Sequence, residues 1–89
     1  MKELQRQHDP LVVEPYAEWE NEAKLLIEQA MERRGIRYKE LSRMLEELQI
    51  YESPDQINRK VLRKRFTAAF FIACMRAMDV RSISLAYYK

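Results

Sequence analysis

Glycine occurs once in these 89 residues, cysteine once, histidine once and proline three times. Each shortage excludes something. One glycine cannot build a glycine-rich phosphate loop, and so few turn residues do not suit a β-sandwich. One cysteine forbids an internal disulfide and fits a reducing compartment. One cysteine and one histidine cannot supply the three or four soft ligands of a zinc site. His8 stands beside Asp9 without a positioned partner, so no acid–base pair emerges. No Ser-His-Asp or paired-carboxylate arrangement is present, and the chain is not expected to be an enzyme or to hold a cofactor. The longest apolar run, Ala68 to Met75, is far short of the roughly 20 residues a membrane span needs. No apolar signal core opens the chain. A soluble cytoplasmic protein with no membrane partner is the expectation.

The composition itself, 47% hydrophobic and 34% charged, is that of a folded helical domain. The net charge is only +2, but it is unevenly spread. Residues 1–35 carry five bases against eight acids, a net of −3, and residues 36–89 carry eleven against six, a net of +5. An acidic first part and a basic second part suit a binder with one basic face.

The stretch Ser53 to Phe66 explains where that face would lie. Ser53 is a good N-cap, Pro54 suits the first helical position, and Gln56 can close a capping box. Asp55 puts a negative charge at the positive end of the helix dipole. Arg59, Lys60, Arg63, Lys64 and Arg65 follow, with no further acid until Asp79. At 100° per residue Ile57 and Val61 fall together on an inward side, and Asn58, Arg59, Leu62 and Arg63 fall opposite. Arginine can bond guanine bidentately, asparagine can bond adenine, and lysine can hold phosphate, so this is the chemistry of a major-groove reader. A solvated basic helix carrying ordinary solubility charges shows the same pattern.

The other elements follow from periodicity. An arm is expected over residues 1–14, where Leu11-Val12-Val13 sits between Pro10 and Pro15 and either packs on the domain or stays loose. A single helical domain then spans 15–89. Its first helix covers about 16–34, with Trp19, Ala23, Leu26, Ile27, Ala30 and Met31 as one apolar stripe and Gly35 as its stop. Trp19 reads as a core anchor. The second helix covers about 38–48, with Leu41, Met44, Leu45 and Leu48 inward, and Ile50 is placed to plug the gap to the third. The third covers 54–65. Thr67 caps a fourth over 68–78, where Cys74 reads as a small core residue. In the tail, 80–89, Ile83, Leu85 and Tyr87 alternate with polar or small residues, which is a strand pattern. That strand can pair with Leu11–Val13, pair with its copy in a homodimer, or pack as an extended tail.

Two resemblances rest on these residues. Leu41 to Leu45, Ile57 to Arg65 and Phe66 to Val80 resemble the second helix, recognition helix and closing helix of phage-repressor and Cro-type (lambda-repressor-like) helix-turn-helix domains. The connection from Leu45 to Ile57 is about a turn longer than in that motif. The chain is also similar, from Trp19 to about Leu85, to a family of small uncharacterised bacterial proteins known only as a domain of unknown function. The matching residues are Trp19, Glu22-Ala23-Lys24, Leu26, Arg33-Arg34-Gly35-Ile36, Tyr38, Leu41, Ile57, Lys60-Val61, Arg63, Phe66, Ala69-Phe70 and Val80. Lys64 stands where the family carries glycine. The resemblance implies an all-α, four-helix fold with a helix-turn-helix core and supplies no catalytic residues.

The functional expectation is a DNA-binding protein, a small prokaryotic, phage or plasmid transcriptional regulator acting on double-stranded DNA. Asn58, Arg59, Leu62 and Arg63 would face bases. Lys60, Lys64 and Arg65 would contact phosphates, with Arg37, Lys39 and Arg43 adding backbone contacts from the second helix. The alternative is a helical protein-interaction or assembly module, using the exposed Leu62, the acidic first helix and the aromatic tail.

Overall fold

The computed structural model describes residues 15–85, which form four helices and no strand. These are α1 (Ala17–Arg34), α2 (Tyr38–Glu46), α3 (Pro54–Arg63) and α4 (Ala68–Ala77). The arm at 1–14 lies outside the described residues, as does any pairing of the tail with Leu11–Val13. Helix α2 is the hub: it packs on α3 and on α4, while α1 crosses against α4 and α3.

Each helix contributes two or three side chains to one core. Ile27, Ala30 and Met31 come from α1, Leu41 and Leu45 from α2, Ile57 and Val61 from α3, and Phe70, Cys74 and Met75 from α4. Met78 closes the bottom just past α4. The pattern at three- and four-residue spacing is the reason these segments are helical, because a short helix is stable only through the face it buries.

The helix ends show how a chain with one glycine makes its turns. Gly35, Gln49 and Asp79 all adopt left-handed φ, at 64°, 68° and 59°. Each is followed by an apolar residue whose N–H reaches back into the last helical turn: Ile36 to Met31 O, Ile50 to Leu45 O, and Val80 to Met75 O. The side chains of Ile36, Ile50 and Val80 pack against the core. The three stops are therefore Schellman motifs, in which the hydrogen bond satisfies an orphan carbonyl and the apolar residue seals the helix end.

This corrects three boundaries. Helix α2 ends at Glu46, not Leu48, and Leu48 is exposed. Ile50 takes the inward position there, and Ser42 Oγ donates to Glu52 O at 2.6 Å to pin the connection 47–53. Helix α3 ends at Arg63, because Lys64 turns left-handed at φ 62° and brings Phe66 onto the core. Helix α4 ends at Ala77, one residue early, because Met78 and Asp79 form its Schellman stop.

Lys64 occupies the conformation in which glycine carries no Cβ penalty. Lys64→Gly is therefore expected to stabilise the fold by about 1 kcal/mol, seen as a melting temperature about 4–8 °C higher in a thermal unfolding scan. A lowered melting temperature would show that the lysine stem is needed there.

Trp19 is a fourth correction. It is 56% exposed and touches Tyr16, with ring centroids 6.0 Å apart, rather than anchoring the core. The cause is length. Helix α1 has 18 residues against 10 in each of α3 and α4, so it is longer by about 12 Å and its first turns overhang the core. The C-terminal half of the expected stripe is buried and its first member is not.

Of the three options for the tail, the described residues take the last, an extended segment packed on the domain. Arg81 to Leu85 form no strand. Ile83 shares a shallow cleft with Leu26, Met75 and Val80, and Leu85 shares another with Leu25 and Gln29, so the tail returns along α1. At the same end, Arg34 Nε donates to Met78 O at 2.7 Å and ties α1 to the end of α4. A strand needs a paired edge, and none of the described segments offers one.

Candidate nucleic-acid interface

Helix α3 starts as its sequence dictates. Gln56 N–H donates to Ser53 Oγ at 3.1 Å, and Ser53 N–H donates to Gln56 Oε1 at 2.8 Å, which completes the capping box with Pro54 in the first turn. At the far end Thr67 Oγ1 accepts from Phe70 N–H at 3.0 Å and starts α4. The 10-residue helix is thus fixed at both ends and by two inward side chains, Ile57 and Val61, each at 0% exposure.

Its outer side carries Asp55, Arg59, Leu62 and Arg63, all exposed, with Leu62 at 56%. Asn58 is half-buried at the edge of that side. Arg59 pairs with Asp55 at 3.1 Å, one turn earlier. Such an exposed i,i+4 pair is worth only about 0.3–0.5 kcal/mol, so Arg59 is readily released to a stronger anion. Arg63 makes no ion pair with any described residue.

Lys60 behaves differently. Its ammonium donates to Glu52 Oε2 and lies 4.8 Å from the centre of the Phe70 ring. Phe70 is a core residue, and Phe66 packs beside it at 5.6 Å. A phosphate contact by Lys60 would have to break both an ion pair and a cation–π contact. The geometry makes Lys60 a clamp that holds α3 to the 47–53 connection and to α4. An eight-residue separation across a turn gives no periodic signal, which is why Glu52 could not be matched to Lys60 from the sequence. The Asp55–Arg59 pair, at i,i+4, was open to that reading.

The other cations expected at the interface lie outside α3. Lys64 makes no ion pair with a described residue, and Arg65 lies 3.6 Å from Glu20 of α1. Arg37, at the N-cap of α2, and Lys39 and Arg43 on it are exposed. Arg37 N–H donates to Glu40 Oε1 at 2.9 Å, and that hydrogen bond holds the Glu40 carboxyl below the usual carboxylate range. Glu40 thus stays ionised at the start of α2, where it favours the dipole.

No group of His, Cys, Asp and Glu among the described residues could hold a metal ion. No helix among the described residues is long and apolar enough to cross a membrane. Cys74 is fully buried, and burial pushes its thiol up to about 12. The thiolate is the reactive form, so iodoacetamide at pH 8.5 is expected to leave the folded protein unmodified and to alkylate it in denaturant. Rapid labelling under native conditions would show that the core opens at Cys74. The sign of the linkage is also fixed. The raised thiol holds its proton in the fold, so this stability is complete below the ordinary value of 9.0 and is lost as pH rises toward about 12.

Residues 19–83 match the family model described as a domain of unknown function (DUF6471), and the chain belongs to that family. No curated protein and no solved structure matches the chain.

Proposed function

We propose that this member of the family binds double-stranded DNA as a small prokaryotic, phage or plasmid transcriptional regulator, in the cytoplasm, with α2 and α3 acting as a helix-turn-helix of the phage-repressor type. The observation that carries the reading is the outer side of α3. Arg63 is exposed and makes no ion pair among the described residues, beside Leu62, on a helix capped at its start and sealed to the core by Ile57 and Val61. A rigid short helix presenting arginine is what base readout in a major groove requires. Arg59 and Arg63 reach base edges, with Asn58 and Leu62 beside them. Lys64, Arg65, Arg37, Lys39 and Arg43 hold phosphates. Lys60 serves as the clamp that sets the angle of α3.

Selection from random duplex DNA with the purified protein tests this, followed by titration of the enriched sequences at two salt concentrations. An enriched motif is expected, with log affinity falling about 0.9 per phosphate contacted for each tenfold rise in salt. A palindromic motif would further establish that two copies bind together, and its half-site spacing would give their separation. No enrichment and no retention at physiological salt would overturn the reading.

A second reading, a protein-interaction or assembly module, is favoured by the exposed apolar side chains Leu62 and Ile72. It predicts neither a preferred sequence nor a steep salt slope.

A further inference from the structure

The overhanging start of α1 and the connection from α3 to α4 enclose an open groove of about 460 Å³. One wall carries Tyr16 and Trp19, and the other carries Lys64, Arg65 and Phe66. Tyr16 is 68% exposed, and Trp19 is more than half exposed. Two large aromatic side chains left open to water beside two cations are costly to leave unused, since a soluble domain gains from burying such surface. The groove also contains Glu20, but that carboxylate faces Arg65 at 3.6 Å. Lys64, without an ion pair among the described residues, leaves the groove with an excess of one positive charge.

We infer that this groove holds a segment of DNA sugar–phosphate backbone flanking the bases contacted by α3. The inference rests on the proposed DNA-binding reading and extends its footprint. Charge complementarity supplies one argument, because a phosphodiester is the anion that Lys64 would meet, beside the Glu20–Arg65 pair. Continuity supplies the other: Lys64 and Arg65 directly follow Arg63, so the groove begins where the outer side of α3 ends. The aromatic pair suits this occupant. The indole has one N–H and the phenol one O–H to donate to phosphate oxygens, and their rings offer apolar surface to deoxyribose.

Trp19 is the sole tryptophan of the chain, so its fluorescence reports this groove alone. The full chain is titrated with a labelled duplex carrying the enriched motif and generous flanks, while label anisotropy and tryptophan emission are recorded together. Both signals should move with the same midpoint. Trp19→Ala should weaken binding about two- to tenfold, the size of one lost hydrogen bond, on all sequences alike. Lys64→Gln should lower the salt slope by about one. Rising anisotropy with unchanged tryptophan emission would overturn the groove assignment and leave the α3 reading standing. A tryptophan response to single-stranded DNA and none to duplex would also overturn it. No anisotropy change with any duplex would overturn the α3 reading, and the groove assignment with it.

Discussion

Ile57→Ala is expected to lower the unfolding free energy by about 2–5 kcal/mol, the cost of a buried branched aliphatic cut to a methyl stub. In a domain of this size that is a fall in melting temperature of about 10–30 °C, large enough to leave the protein partly unfolded at 37 °C. The reason is position. Ile57 is completely buried, one turn from Val61, and these two are the buried side chains by which α3 joins the core. The cavity would open where α2 and α3 meet, and α2 is the helix on which both α3 and α4 rest. Circular dichroism during heating measures the effect, with Leu62→Ala as the matched control. Leu62 removes a similar volume from the exposed side of the same helix and should change stability by less than about 0.5 kcal/mol. Comparable losses from both would mean that α3 is not oriented with Ile57 inward, and the assignment of its outer side would fall.

That same contrast marks what a sequence can disclose. Local rules settled α3 because its signals are all short-range: a cap, a capping box, and two anchors four residues apart. The Thr67 cap and the buried Cys74 were legible for the same reason. Two of the three Schellman stops were harder. Only Gly35 announces a left-handed residue, whereas Gln49 and Asp79 take the same conformation because Ile50 and Val80 gain from covering a helix end. That is a tertiary gain overriding a local preference, and it shortened α2 at Leu48. The stripe points Trp19 inward, but periodicity says which side of a helix is apolar and not how far the neighbouring helices extend beneath it. The alternation of Ile83 and Leu85 is equally compatible with a paired strand and with an extended tail, and only an edge elsewhere in the fold decides between them. Its basic neighbours in sequence put Lys60 among the phosphate contacts. Its partners Glu52 and Phe70 come together only once α3 and α4 have packed.

Arginine replacements on the outer side of α3 give the second large effect, on binding rather than folding. Arg63→Ala should cost about 1–3 kcal/mol on the preferred duplex, roughly a 5- to 150-fold loss, and should relax preference at one base position. Arg59→Ala should act in the same way but by less, since Arg59 must first leave Asp55, at about 0.3–0.5 kcal/mol. Removing that acid therefore works in the opposite direction: Asp55→Ala frees Arg59 and removes a negative charge from a surface that must approach phosphates. Lys64→Ala should weaken every sequence by a similar factor and lower the salt slope by about one, because a lysine on phosphate carries no sequence information. Thermal scans on each variant separate these effects from unfolding, since Asp55, Arg59 and Arg63 are exposed, Lys64 is only half-buried, and no large stability change is expected. Competition titrations against the selected duplex and a scrambled one would then sort the residues. A loss confined to the selected duplex for Arg59 and Arg63, with a uniform loss for Lys64, assigns base readout to α3. Small and equal losses for all three would mean that the helix meets DNA only as a basic surface, and the determinant of sequence would have to be sought outside α3.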